Sequence, residues 1–176
     1  RNLQMAINKN FLRLKLFRAG PVLLLYFLSI SEIDTEFSNL YEILSFNLQI
    51  IIIYYWMLQD HYILSNVHIF FVGIINDVVM GLPLGVSALS YLSVSFVASY
   101  IRQVSVNITL FTDWFTFLIA IFFSNLIYSV LINNFSNLEI TYTTLFYNSF
   151  FTFLFYPIFW IVFNFYRSIM TDYHND

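Results

Sequence analysis

The sequence predicts an all-α integral membrane protein with six transmembrane helices. Of its 176 residues, 60% are hydrophobic and only 10% are charged, whereas about 25% of the residues in soluble domains are charged. The mean hydropathy is +0.75. Six apolar runs follow one another with short connections that leave no room for a soluble domain. They cover roughly residues 19–33, 43–58, 63–80, 84–101, 114–132 and 143–165.

The predicted spans differ in length. A helix that crosses a bilayer needs about 20 apolar residues, and about 17 are tolerated. The first two spans are shorter, and the first is bounded by Glu32, Asp34 and Glu36. We therefore expect the first span to thin the bilayer locally or to lean on neighbouring helices.

The orientation follows from the positions of lysine and arginine. With six spans, all 7 basic residues fall on one side of the membrane: Arg1, Lys9, Arg13, Lys15, Arg18, Arg102 and Arg167. The opposite loops contain acidic residues: Glu32, Asp34, Glu36, Glu42 and Glu139. Five or seven spans would place Arg167 opposite the N-terminus. We therefore predict that both termini are cytoplasmic.

Residues 1–18 precede the first span. Ile7, Phe11 and Leu14 recur there at helical spacing, with basic residues elsewhere on the wheel. This pattern is typical of an amphipathic helix on an anionic inner leaflet. The alternatives are a basic leader that only sets the topology, and a cleaved signal peptide, although no A-x-A cleavage site follows. The predicted organisation is a basic cytoplasmic segment 1–18, a six-helix domain 19–166 and a cytoplasmic tail 167–176.

The segment from Gly73 to Leu89 is the most informative part of the chain. Gly73, Asp77 and Gly81 recur every four residues, which places them on one face of the third span. Pro83 then breaks the helix. With only residues 81–83 between them, the third and fourth spans are predicted to form a tight antiparallel hairpin. A carboxylate inside a bilayer needs a specific reason.

Two roles for Asp77 stay open at this point. In the first, small residues bring the third and fourth helices together, and Asp77 caps the fourth helix. It would accept hydrogen bonds from the leading N–H groups of Leu84, Gly85 and Val86, and the helix would begin at Pro83 or Leu84. In the second, Asp77 contacts a ligand or a partner.

Other positions in the spans have expected structural roles. Trp56 and Trp114 lie near predicted cytoplasmic ends, where aromatic anchors are common. Pro157 is predicted to kink the sixth span by removing a backbone hydrogen bond. The polar residues of the fifth and sixth spans are expected to hydrogen-bond between helices: Ser124, Asn125, Asn148, Thr152 and Asn164.

The residue types argue against several classes of chemistry. The chain has no cysteine, which excludes disulfides, thiolate metal sites and cysteine nucleophiles. A net charge of −3 gives no support to nucleic-acid binding. His61, His68 and Asp60 are too few to predict a metal site, and no nucleophile elbow or phosphate-binding loop is present. We predict a non-enzymatic protein without a cofactor or metal ion.

The segment also resembles the central signature of a known family. The pattern G-x-x-x-D-x-x-x-G-x-P-L-G-x-x-A-L, from Gly73 to Leu89, looks like that of the bacterial rod shape-determining protein MreD. Tyr55-Trp56 and Tyr156-Pro157 resemble the family's Tyr-Trp and late Tyr-Pro. One departure is Gln59-Asp60-His61, where family members often carry a proline.

The resemblance implies a non-enzymatic component of the bacterial inner membrane. Such a protein supports cell shape and lateral peptidoglycan synthesis within the cell-elongation (rod) complex. It is expected to bind MreC and, through it, to work with the MreB filament, the glycosyltransferase RodA and its partner transpeptidase. The family fold is similar to the six-helix substrate-binding subunits of energy-coupling-factor transporters. That similarity supplies the alternative function, a membrane subunit that binds a vitamin-type small molecule.

Overall fold

The computed structural model describes residues 19–31, 46–105, 109–136 and 141–175, with side chains up to residue 170. These residues form six helices: α1 (Ala19–Ser31), α2 (Leu48–Gln59), α3 (Asn66–Val79), α4 (Val86–Val104), α5 (Leu110–Phe135) and α6 (Tyr142–Asn175). Each helix lies on one predicted span, so the all-helical prediction is confirmed. The predicted amphipathic segment 1–18 and the acidic residues of the outer loops lie outside the described residues.

Helix α2 lies at the centre of the bundle. Every side chain from Gln49 to Leu58 is buried, as expected of a helix that is apolar on all faces. It packs against α4, α5 and α6. At its N-terminal end the Gln49 amide donates to Ser29 of α1 and to Asn76 of α3, both at 3.4 Å. All five other helices therefore contact α2.

The other five helices form a ring around α2. Helices α3 to α6 pack in chain order, each against the next. Helix α1 closes the ring because the Ser29 hydroxyl donates to the Val72 carbonyl of α3 at 2.9 Å, while Gly20 lies against the Tyr166 hydroxyl of α6. Both contacts hold the short helix α1 against its neighbours.

Aromatic rings fill the space between α2, α5 and α6. The Phe117 ring lies 4.9 Å from that of Tyr54 and 4.4 Å from that of Tyr156. Trp56 packs on Phe163 at 6.3 Å. Because Trp56 is only 1% exposed, its predicted role as an interfacial anchor is wrong. The tryptophan faces the core because α2 is buried on all sides.

Polar and apolar side chains are arranged in the opposite way to a soluble domain. Large apolar side chains are exposed along α1, α3, α4, α5 and α6, including Phe122 at 63% and Phe96 at 74%. Several polar side chains are buried instead: Ser29, Gln49, Asn76, Asp77, Ser87, Ser90, Ser95, Asp113, Ser124 and Thr152. Soluble proteins rarely expose such continuous apolar surface.

Two of the described helices are long and apolar enough to cross a membrane, Leu110–Phe135 and Tyr142–Met170. Helices α1, α2 and α3 are apolar but shorter. Helix α6 continues to Asn175, so the predicted tail 167–176 is helical up to that residue.

Candidate functional site

The hairpin between α3 and α4 has a longer turn than the sequence predicts. Helix α3 ends at Val79 and α4 begins at Val86, so residues 80–85 connect them rather than residues 81–83. Pro83 therefore lies in the turn and not at the first position of α4. Gly81 and Gly85 have φ angles of 64° and 105°, which side-chain-bearing residues rarely adopt.

Asp77 caps the N-terminus of α4, as the first of the two sequence interpretations predicts. The Gly85 N–H donates to its Oδ2 and the Ser87 N–H to its Oδ1, both at 2.7 Å. The carboxylate is fully buried. Of the three predicted donors, only the Gly85 N–H bonds to the carboxylate. The second donor is the Ser87 N–H, and not that of Leu84 or Val86. The later start of α4 is the reason, because it leaves the Val86 N–H bonded to the Pro83 carbonyl at 3.3 Å.

The backbone of the turn forms further hydrogen bonds within the hairpin. The Met80 N–H donates to the Asn76 carbonyl at 2.9 Å, and the Gly81 N–H to the Val78 carbonyl at 3.4 Å. The Leu82 N–H donates to the Asp77 carbonyl at 2.9 Å. Asp77 thus holds the turn through its main chain and caps the next helix through its side chain.

Gly73 allows α3 and α4 to pack in close contact. A Cβ added at Gly73 would lie 2.9 Å from the Ala88 Cβ and closer still to its Cα and N. The absence of a side chain is what lets the two backbones approach. The predicted small-residue contact therefore pairs Gly73 with Ala88.

The remaining residues of the predicted motif are placed differently. Leu84 is 71% exposed and Leu89 is 46% exposed, so both lie on the outside of the hairpin. Trp56 and Pro157 are on α2 and α6, outside the hairpin. The structure thus brings Gly73, Asp77, Gly81, Pro83 and Gly85 into one unit and presents the two leucines at its surface.

A buried polar network joins this hairpin to α2. The Asn76 amide donates to the Ser87 hydroxyl at 3.1 Å and accepts from Gln49. The Tyr91 hydroxyl donates to Gln49 Oε1. We did not single out Gln49, Asn76 or Tyr91 from the sequence, although an amide beside Asp77 on a predicted span was a signal of burial.

A second buried carboxylate lies near the opposite end of α2. Asp113 is 1% exposed. Its Oδ2 accepts from the Trp160 indole N–H at 2.9 Å and from the Gln59 amide at 3.1 Å. Arg167 donates to the Gln59 Oε1 at 2.7 Å, so the Gln59 amide joins the carboxylate to the guanidinium. The predicted fifth span, 114–132, leaves Asp113 outside it, whereas Asp113 lies in the first turn of α5 because that helix begins at Leu110.

Side chains from other helices also satisfy the ends of α2. Arg102 of α4 donates to the Met57 carbonyl in its last turn at 3.1 Å. At its start, Asn47 Oδ1 accepts from the Ile50 N–H at 3.1 Å, and the Asn47 N–H donates to Thr152 of α6 at 2.8 Å. A short helix buried in a bundle needs such partners because water cannot supply them.

Pro157 interrupts the hydrogen bonding of α6 without ending the helix. Proline has no N–H, so it cannot donate to the carbonyl four residues earlier, which is that of Phe153. The Trp114 indole N–H donates to this carbonyl instead, at 2.9 Å. The interhelical bond from α5 therefore replaces the backbone bond that Pro157 removes.

The chemistry of these groups is that of helix capping and packing. The carboxylate of Asp77 is held by two backbone N–H groups, and that of Asp113 by the Gln59 amide and the Trp160 indole. Within the described ranges no group of three or more His, Asp or Glu side chains could hold a metal ion. No known family model matches this chain, and neither a curated protein nor a solved structure is recognisably similar to it.

Proposed function

We propose that the chain is an MreD-type component of the bacterial rod complex. It would reside in the inner membrane, act without catalysis, and support cell shape and lateral peptidoglycan synthesis through MreC. MreB, RodA and its partner transpeptidase would be reached through that complex. The single observation that supports this best is that the residues of the MreD-like signature are structurally interdependent.

The interdependence is visible in the hairpin contacts. Gly73 allows the close contact with Ala88, and Asp77 caps α4 through Gly85 and Ser87. The signature places Gly73, Asp77 and Gly85 at the positions where the capped hairpin uses them for these contacts.

Membrane residence with both termini in the cytoplasm is part of the proposal. Exposed apolar side chains and buried polar ones suit a bundle solvated by lipid. Arg102 and Arg167 bond to Met57 and Gln59, which share the last turn of α2. Two basic residues that are 65 positions apart (167 − 102) therefore lie at one end of the bundle, as the positive-inside rule requires of a six-span topology.

The alternative, a vitamin-binding transporter subunit, needs polar groups that are available to a ligand near the outer face. The polar side chains of that region bond to one another: Gln49 to Ser29 and Asn76, and Asn76 to Ser87. We therefore favour the rod-complex function.

The proposal is tested in the bacterium that encodes the chain. Affinity purification of the tagged protein from solubilised membranes should retain MreC, and depletion should convert rods to round cells. Normal rods after complete depletion would refute the proposal. Nanomolar binding of a vitamin by the purified chain would assign it to the transporter class.

The exposed motif leucines allow a sharper version of this test. Leu89→Ala should weaken MreC retention without lowering folded yield, because Leu89 lies on the outside of the hairpin. The matched control is Phe96→Ala on the same helix, where the side chain is 74% exposed but lies outside the signature. Equal MreC retention by both variants would show that the hairpin surface is not the contact.

A further inference from the structure

We infer that the turn between α3 and α4 lies within the hydrocarbon of the bilayer, so that its partner is lipid acyl chains rather than periplasmic water. The turn consists of residues 80–85, Met-Gly-Leu-Pro-Leu-Gly, and is called the hairpin tip below. The inference rests on the membrane residence contained in the proposed function, but not on membership of the rod complex.

The side chains of the hairpin tip favour lipid. Met80 is 50% exposed and Leu84 is 71% exposed, and no residue of the tip has a polar side chain. Val78 before the tip and Leu89 after it are also exposed, at 65% and 46%. The tip therefore continues the apolar surface of α3 and α4 without a polar boundary.

The connection between α5 and α6 lies at the same side of the bundle as the hairpin tip, but polar residues flank it. Asn133 and Asn134 are exposed at the end of α5, and Thr141 and Thr143 are exposed at the start of α6. Exposed amides and hydroxyls suit a water-facing position. A turn of the same protein that faced the same water would be expected to carry similar residues.

The backbone of the hairpin tip also suits lipid. Four of the five N–H groups in the tip, those of Met80, Gly81, Leu82 and Gly85, donate within the hairpin. Pro83 has no N–H, and the Leu84 N–H makes no such bond. A turn in water can leave all of its N–H groups to the solvent, whereas each one left unsatisfied in hydrocarbon is costly. The buried carboxylate of Asp77 supplies the acceptor that the chain would otherwise lack at this depth.

The depth follows from helix lengths measured from the last turn of α2. Arg102 bonds to that turn, and from Arg102 to Val86 is roughly 24 Å along α4. Asp113 bonds to the same turn, and from Asp113 to Asn134 is roughly 32 Å along α5. The hydrocarbon core is about 30 Å thick. Helix α5 therefore reaches the outer boundary, whereas α4 starts below it.

Single-cysteine variants test this directly because the chain has no cysteine of its own. The variants are Leu84→Cys at the hairpin tip, Asn134→Cys at the end of α5, and Phe122→Cys at the exposed middle of α5. Each is purified in lipid nanodiscs and treated with a charged, membrane-impermeant maleimide. Leu84→Cys should react about tenfold more slowly than Asn134→Cys, because apolar surroundings disfavour the thiolate.

A fluorophore on the same cysteines identifies what surrounds them. Lipids with brominated acyl chains should quench the probe at Leu84 and at Phe122, but not at Asn134. Fast maleimide labelling at Leu84 with Phe122 protected would overturn the inference and leave membrane residence intact. Slow labelling at Leu84 without quenching would mean that protein covers the tip, which also overturns it. Fast labelling at Phe122 would overturn membrane residence itself.

Discussion

Two buried carboxylates dominate the chemistry of individual residues. Asp77 receives one backbone N–H on each oxygen, whereas two side chains donate to a single oxygen of Asp113. Hydrogen bonds to an ionised acceptor are about twice as strong as neutral ones. The loss of such an acceptor leaves buried donors unsatisfied, which costs more than the bond itself contributes.

Asp77→Ala should lower the free energy of unfolding by about 1–3 kcal/mol, because the Gly85 and Ser87 N–H groups lose their acceptor. Asp77→Asn keeps one acceptor oxygen and should cost less. Denaturant titration of the purified protein in detergent measures both. Asp60→Ala is the control, since the Asp60 carboxylate accepts from the exposed Tyr62 N–H at 3.2 Å. Wild-type stability for Asp77→Ala would show that the cap contributes nothing.

Gly85 is required for its backbone angle. A side chain there would not crowd the turn, since no atom lies within 4 Å of an added Cβ. The φ angle of 105° is the constraint, and left-handed conformations cost side-chain-bearing residues about 1–2 kcal/mol. Gly85→Ala and Gly85→Leu should therefore be destabilised by similar amounts in the same titration. A much larger loss for leucine would indicate crowding instead.

At the scale of helices, the common feature is that a side chain of one helix hydrogen-bonds to backbone groups of another. Those groups lie at a helix end or where a proline interrupts the helix. Asp77 of α3 caps α4, Arg102 of α4 bonds the end of α2, and Trp114 of α5 bonds the carbonyl that Pro157 frees in α6. These contacts require the correct neighbour, so they favour this arrangement of helices over others with the same apolar surface.

The Trp114 bond gives a test with an internal rescue. Trp114→Phe should lower the free energy of unfolding by about 1–3 kcal/mol by leaving the Phe153 carbonyl unsatisfied. In the double variant with Pro157→Ala, the new backbone N–H can donate to that carbonyl, so much of the loss should be recovered. A double-mutant cycle in detergent measures the coupling. Additive effects of the two substitutions would contradict the account.

Close packing of α3 and α4 depends on Gly73. Gly73→Ala places a methyl group against the Ala88 backbone, and overpacking of this kind costs typically about 1–3 kcal/mol. Ala88→Gly should not rescue it, because the closest atoms belong to the main chain. Phe71→Leu, at a 54% exposed position of the same helix, is the control for thermal stability and yield. Unchanged stability of Gly73→Ala would mean that the helices can separate freely.

Sequence separation explains which contacts were predictable. The partners of Asp77 are 8 and 10 residues away within one hairpin, so helix periodicity and the proline break were enough to place them together. The partners of Asp113 are 54 and 47 residues away, on helices whose relative rotation the sequence does not specify. The start of α5 was misplaced for a related reason, because Thr109 caps it before the apolar run begins.

For the whole molecule, the testable property is topology. A reporter active only in the periplasm should give signal when fused after Asn137. It should be silent after Arg102 or at Asp176, because the proposed topology places all 7 basic residues on the cytoplasmic side. Reporter activity at Asp176 would rule out six crossings with both termini inside. Activity after Arg102 would instead place the last turn of α2 on the periplasmic side.

The central position of α2 has a consequence for biogenesis. Chains emerge from the ribosome N-terminus first, so α2 is made before α4, α5 and α6, which provide much of its surroundings. A helix of 12 residues is too short to span the bilayer stably by itself. It must therefore wait in a provisional position until its neighbours are synthesised. Completion of the native bundle is thus tied to the release of α6, the last of the described helices to be synthesised.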